Sequence, residues 1–243
     1  MRYIDLEPLL RKRPRWGQRR ELWKNSNLQQ DFRDYFYNKC WYTEVILIGQ
    51  DAHIDHFRPK AKVIQFETYK YNQPLSDIGY HWLKNDPSNY RVCCVYANRI
   101  TGEGGKGCYF PLSNRSPLLT EGGGELEEPL LLDPCKREDV KLLSFMGNNV
   151  FAASTNPDEQ QRVAVSNRIY NLSDPYIMVE RAKVWNGVEK TLEEYLTGEI
   201  DRNSCLRRLQ SAVSRGAQFS ACAIACVNSL APDEIKDELD LSL

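Results

Sequence analysis

From Pro157 onward the apolar positions recur with a helical period. That pattern predicts helices over 158–172, 174–196, 201–213 and 218–230. Before Pro157 it is mixed. Residues 27–38 read as a short helix, with Asn27 placed to cap it and Leu28, Phe32, Tyr35 and Phe36 on one stripe. Residues 41–48, rich in aromatic and branched side chains, predict a strand. Gly49-Gln50-Asp51 can then turn the chain into a second strand over 52–57. Residues 88–99 predict a helix after the break at Pro87, and 129–133 a short buried strand that stops at Pro134. Residues 102–107 and 122–124 are glycine-rich loops. No internal repeat is visible. The expected fold class is α+β: a mixed part to about residue 150, then a mostly helical part.

Composition sets the broad class. The chain has 243 residues, 42 % apolar and 27 % charged, which suits a protein that buries a core and excludes a disordered chain. The length corresponds to one large or two small domains. No stretch approaches the ~18 consecutive apolar residues of a membrane helix. The first residues lack the basic-then-apolar pattern of an export signal, so a cytoplasmic, non-membrane protein is expected. The eight cysteines are then expected as thiols. Cys222 and Cys226 share a helix face and read as core. No pair anywhere has C-x-x-C spacing.

Net charge is −1, which at face value argues against a strongly cationic nucleic-acid binder. Division of the chain changes that picture. Residues 1–110 carry 18 Lys/Arg and 12 Asp/Glu, net +6, and the remainder is net −7. The most basic stretch, 11–24, holds seven cations, one anion, Trp16 and Trp23, a composition suited to phosphate contact and stacking. Arg13 and Arg15 within it are candidate nucleic-acid contacts. The last eleven residues, with five acids and one lysine, form an acidic tail.

The chemistry concentrates in Asp51-Ala-His53-Ile-Asp55-His56-Phe-Arg58-Pro59-Lys60. Ten residues there combine imidazoles near neutral pKa, hard carboxylate oxygens and phosphate-binding cations. On an ideal strand His53 and Asp55 share one face and His56 takes the other. Asp55 and His56 can serve one site only where the strand ends or bulges.

This segment resembles the HNH endonucleases of the ββα-metal fold, and within them the PtuB-type nucleases of retron and Septu anti-phage systems. The resemblance runs from Cys40-Trp-Tyr-Thr-Glu44 through Ile54-Asp55-His56-Phe57-Arg58-Pro59-Lys60 and Gly79-Tyr-His-Trp-Leu83. It continues through 89–99, 106–112 and 128–134, in order over about residues 38–145. It implies that His56 is the general base, that Asn89 ties the site loop together, and that Asp55 and Asn98 hold one Mg²⁺ or Mn²⁺. His53 is a further candidate ligand. Nine residues separate Asn89 from Asn98, about 2.5 helical turns, which on one helix gives them opposite faces. Arg58, Lys60, Lys106 and Arg99 are candidate phosphate contacts. Many family members frame the site with two C-x-x-C pairs on a structural zinc. The matching positions here are Cys40, Thr43, Cys94 and Ala97, so a Cys₄ zinc is not expected. Trp41, Tyr42 and Tyr96 are expected to fill that space.

The division implied is 1–37, a basic arm and helix; 38–150, an HNH nuclease domain; and 151–243, a helical region suited to docking a partner. The resemblance further implies a DNA or tRNA substrate and an SMC- or ABC-like (PtuA-type) ATPase partner. Retron versions add a reverse transcriptase with its msDNA. A catalytically inactive HNH fold serving as a nucleic-acid or protein binding module is the alternative.

Overall fold

Polar side chains start the long helices of the C-terminal part. Asn156 accepts from the Asp158 amide, Asp174 from Tyr176 and Ile177, and Asp201 from Ser204, with Pro157 and Pro175 in the first turns. Each cap takes up backbone donors that lack an intrahelical partner. The structure is a computed structural model that describes residues 1–49, 52–67, 70–76, 78–100, 104–113, 120–123 and 127–243. Among the described residues the order is α1 (Glu7–Leu10), α2 (Ser26–Tyr35), β1 (His53–His56), β2 (Val63–Glu67), β3 (Lys70–Ser76), β4 (Tyr90–Cys93) and α3 (Val95–Asn98). There follow α4 (Arg137–Lys141), β5 (Leu143–Met146), β6 (Asn149–Ala152), α5 (Pro157–Ile169), α6 (Pro175–Leu196), α7 (Arg202–Val213), α8 (Ser220–Leu230) and α9 (Asp233–Lys236). The chain is thus mixed α and β. No helix among the described residues is long and apolar enough to cross a membrane.

The strands pair as three antiparallel pairs, β1 with β4, β2 with β3 and β5 with β6. In the first, His53 faces Cys93, Asp55 faces Arg91 and His56 faces Tyr90. β4 and α3 replace the single helix expected over 88–99. All four residues of β4 are buried, so the segment lacks the alternation that marks a half-exposed strand. Asn89 and Asn98 therefore do not share a helix: Asn89 ends a 3₁₀ turn before β4, and Asn98 ends α3.

Residues 41–48 form no strand ladder. They make a tight turn in which Glu44 N–H donates to Cys40 C=O (2.9 Å), with Glu44 at φ 64°. Trp41 N–H donates to Val92 C=O (2.8 Å), which fastens the turn to β4. The expected reversal at Gln50 and Asp51 lies outside the described residues, as do 102–103 and Gly124 of the glycine-rich loops. Residues 130–132 are buried as expected but form no strand: Leu130 N–H donates to Pro111 C=O (2.8 Å), and the rest of the backbone is satisfied on α5 and the residue after it. Leu132 N–H donates to Ser166 Oγ (2.8 Å), and Tyr170 Oη donates to Leu132 C=O (2.9 Å). The cap of α2 is Asn25, two residues before the expected Asn27.

One core runs through both halves of the chain. The β5–β6 hairpin, which spans residue 150, packs on α5 and α8. Lys39 Nζ donates to Ala217 C=O (2.8 Å) and Ser220 Oγ to Glu44 (2.9 Å), joining the 38–47 turn to the start of α8. The basic stretch 11–24 is not a free arm. Trp16 is buried, its indole donating to Asp31 (2.8 Å), and Leu22 N–H donates to Asn85 (3.0 Å). Most of its cations stay exposed, so the stretch is a strap laid beside the 80–89 loop.

Candidate active site

β1 delivers the motif residues and ends at His56. His56 is 7 % exposed. Its Nε2 lies 2.9 Å from the Lys84 carbonyl, which can only accept, so Nε2 carries the proton and Nδ1 keeps its lone pair. Tyr90 Oη donates to the same carbonyl at 2.6 Å, holding it in place. Trp23 and Tyr90 meet the imidazole edge-on, each with ring centroids 5.0 Å away. Burial pushes the His56 pKa down to about 4, and Lys60 and Lys106 push the same way; the Lys84 carbonyl and Asp55 offset them in part. The ring is therefore neutral at pH 7 and its Nδ1 is available as a base.

Asn89 fixes the loop that follows His56. Its side-chain oxygen accepts from Arg58 N–H (2.8 Å) and its amide donates to Arg58 C=O (3.0 Å). Phe57 N–H donates to the Asn89 carbonyl (2.8 Å). Both backbone groups of Arg58 are thus satisfied by one buried side chain.

Asp55 has a different set of partners from His56. Tyr42 Oη donates to Oδ2 at 2.7 Å. The Lys106 ammonium lies 3.2 Å from Oδ1 and 3.1 Å from Oδ2, and donates to His56 C=O at 2.8 Å. Asp55 is 5 % exposed and Lys106 fully buried. His53 and Asn98 sit together, with Asn98 Nδ2 3.2 Å from His53 Nδ1. Of the expected ligands, His53 and Asn98 are thus in contact where β1 meets α3, and Asp55 lies two residues further along β1. As they stand they do not fit a divalent ion. The one carboxylate of the set is bridged across both oxygens by an ammonium, and three of its roughly four lone-pair directions are used. Among the described residues no group of three His, Cys, Asp or Glu side chains stands ready to hold a metal.

The expected phosphate contacts divide into two kinds. Arg58 pairs with Glu127 (2.6 Å), which also accepts from Tyr80, and Lys106 pairs with Asp55. Both cations are thus engaged by carboxylates in this structure. Lys60 stays half-exposed, its ammonium 3.6 Å from the Trp23 ring centre. Arg99, at the end of α3, and Arg13 are exposed. Arg15 is exposed and reaches Asp31 (3.2 Å). The third histidine, His81, is exposed and 3.7 Å from Glu121.

Residues 40, 43 and 94 lie together: Thr43 N–H donates to Cys40 Sγ (3.4 Å) and Thr43 Oγ1 is 3.8 Å from Cys94 Sγ. Cys40 and Cys94 carry sulfur there, and Ala97 is buried. Trp41 stacks on Phe32 (5.6 Å, 9°) and Tyr42 on Tyr170 (4.0 Å, 11°), both buried. Tyr96 is exposed and does not fill this space, contrary to expectation.

Trp23, Tyr42 and the Lys84 carbonyl contact His56 or Asp55, a role that the sequence pattern does not assign to them. Trp23 had a signal, a tryptophan among seven cations. Tyr42 had its place in the Cys40–Glu44 motif. A backbone carbonyl has none. No protein-family model and no curated protein matches the chain.

Proposed function

We propose that the chain is an endonuclease that hydrolyses phosphodiester bonds in DNA or tRNA, with His56 as general base. The observation that carries this reading is the His56 imidazole, pinned through Nε2–H to the Lys84 carbonyl with Nδ1 left to accept. Nδ1 takes a proton from water, the water oxygen bonds to phosphorus, and the ester oxygen leaves and is protonated by solvent. A bound phosphodiester anion raises the His56 pKa from its low resting value, which brings the base closer to its working range. Lys60, over the Trp23 ring next to His56, and the exposed cations of the strap supply positive charge for the phosphate. Asn89 keeps the loop after His56 in register. The order β1, an Asn-bearing turn, β4 and α3 supports an HNH-type core. The resemblance to PtuB-type nucleases extends the reading to an anti-phage effector held by an ATPase.

The test is cleavage of plasmid DNA and tRNA by wild type and His56→Ala, each with and without Mg²⁺ and Mn²⁺. Loss of a positioned general base costs about 10²–10⁴-fold. Equal cleavage by the two proteins would sink the assignment. The closed Asp55–Lys106 pair favours a second reading, a non-catalytic nucleic-acid-binding module. Binding that persists in both proteins, with no cleavage by either, would select it.

A further inference from the structure

Lys106 reaches Asp55 because the backbone puts it there. Lys106 N–H donates to Ala97 C=O and Gly107 N–H to Asn98 C=O, both at 2.8 Å, so its turn is clipped to the end of α3. Gly105 and Gly107 flank it at φ +96° and +45°. A Cβ on Gly105 would lie 1.9 Å from the Arg99 carbonyl oxygen, so a residue with a side chain cannot take that place without moving the turn. The Lys106 side chain then runs inward with no exposure and ends on three acceptors, two on Asp55 and one on the backbone of His56. An ammonium so enclosed is a built part of the site.

We propose that Lys106 is the resident cation of this site and that its ammonium and a divalent ion exclude each other on Asp55. Both would take the same face of the same carboxylate. In a buried setting two cations a few ångströms apart repel strongly, and Lys106 is fully buried on a turn clipped to α3. His53 and Asn98, next to each other at the same end of β1, would complete a three-donor set for Mg²⁺ or Mn²⁺ only once Lys106 has left. The proposal rests on the phosphodiesterase reading of the site for its functional meaning, but its test measures cation binding, so the two can fail separately.

The experiment is titration of the full chain with Mn²⁺, followed by electron paramagnetic resonance of the free ion and by calorimetry. Four proteins are compared: wild type, Asp55→Asn, Lys106→Met, and the variant carrying both changes. Lys106→Met is expected to gain one Mn²⁺ site at least about tenfold tighter than any in wild type. That gain should vanish when Asp55→Asn is added. Wild type and Asp55→Asn should bind Mn²⁺ alike. A wild-type site that binds Mn²⁺ as tightly as Lys106→Met does, and that Asp55→Asn abolishes, would overturn the proposal. Should Lys106→Met fail to fold, the wild-type and Asp55→Asn pair decides alone: equal binding supports mutual exclusion, and Asp55-dependent binding refutes it.

Discussion

Tyr42 lies flat on Tyr170, ring centroids 4.0 Å apart and planes 11° from parallel, and the same Tyr42 donates its hydroxyl to Asp55. Tyr170 follows α5, so the helical part of the chain forms the floor under the motif carboxylate. Removing 157–243 would strip that floor, and a truncated chain is no clean test of partner docking. Tyr42→Phe keeps the stack and deletes one donor to a buried carboxylate, a change worth about 1.5–3 kcal/mol. Tyr170→Ala removes the stack and the bond to Leu132, costing about 3–5 kcal/mol. Urea unfolding should show the larger loss for Tyr170→Ala. A Tyr42→Phe variant as stable as wild type would mean that the hydroxyl adds nothing to the hold on Asp55.

Asn89 makes a second kind of prediction, because its two bonds have opposite polarity. Asn89→Asp keeps the acceptor for Arg58 N–H but turns a carboxylate oxygen toward Arg58 C=O. The near-isosteric change should therefore destabilise the loop by about 1–3 kcal/mol, for one buried polar group left without a donor. Cleavage should fall with it, since the His56 loop loses its register. Unfolding and cleavage measured on Asn89→Asp and Asn89→Ala check this, and wild-type values for both variants would remove Asn89 from the site's framework.

These side chains show which parts of the fold are open to sequence reading. The four long helices α5 to α8 are legible partly through start signals, since α5, α6 and α7 begin after an Asn or Asp ahead of a proline or a polar first turn, while α8 is a mostly apolar run. The pattern places all four within a few residues. β4 does not announce itself, because Tyr-Arg-Val-Cys is buried on both faces and has neither period 2 nor period 3.6. Residues 41–48 mislead in the other direction: Trp41, Tyr42 and Leu47 are buried because the turn lies against β4, and burial in a turn leaves the same composition as a strand. Gly147-Asn148 is a turn signal for the β5–β6 hairpin, but each of those strands is four residues, too short to establish a period of two. The Asp55–Lys106 pair joins residues 51 positions apart, and no spacing rule connects them.

The Cys40–Thr43–Cys94 cluster gives a constructive test. The resemblance aligns Cys40, Thr43, Cys94 and Ala97 with the ligands of a Cys₄ zinc, and contacts among Cys40, Thr43 and Cys94 draw three of these positions together. Thr43→Cys combined with Ala97→Cys should bind Zn²⁺ or Co²⁺ with tetrahedral thiolate ligation, visible as the Co²⁺–thiolate absorption bands. The double variant should also gain stability on metal addition, as a ligand of the folded state does. Absence of those bands in a folded double variant would mean that the four positions do not converge.

Glu44 sets the expected acid response. Burial alone would raise its pKa, but the Met1 amino group, Lys39 and Arg2 outweigh burial and hold it down at about 2. The folded pKa lies below the ordinary value of 4.5, so the unfolded chain binds the proton more tightly. Glu44 therefore contributes stability above about pH 4.5, lost as pH falls toward 2, on the order of 3 kcal/mol. Glu44→Gln should be less stable than wild type at neutral pH, with a difference that shrinks through this window. A difference that stays constant down to pH 2 would show that Glu44 acts by shape and hydrogen bonding rather than by charge.

The strap carries the charge argument to its test. Lys12 and Arg15 share Asp31, whereas Arg13, Arg19 and Arg20 are exposed and carry no ion pair among the described residues. Asn85 ties the Arg20 carbonyl and Leu22 N–H to the loop beside His56, and Trp23 meets the imidazole itself, so the strap's later part runs next to the proposed base. Near-zero net charge says nothing against binding here, because affinity depends on the local count of cations that displace counterions. Changing Arg13, Arg19 and Arg20 to Ser in a His56→Ala background should weaken duplex DNA binding. It should also flatten the salt dependence, by about 0.9 in log–log slope for each phosphate no longer neutralised. Arg207→Ser, on α7 in the acidic half, removes the same sign of charge and should leave the slope unchanged. Anisotropy titrations across a salt series measure both. Equal slopes for the triple variant and Arg207→Ser would place the nucleic acid somewhere other than along the strap, and with it the reason for a basic first half.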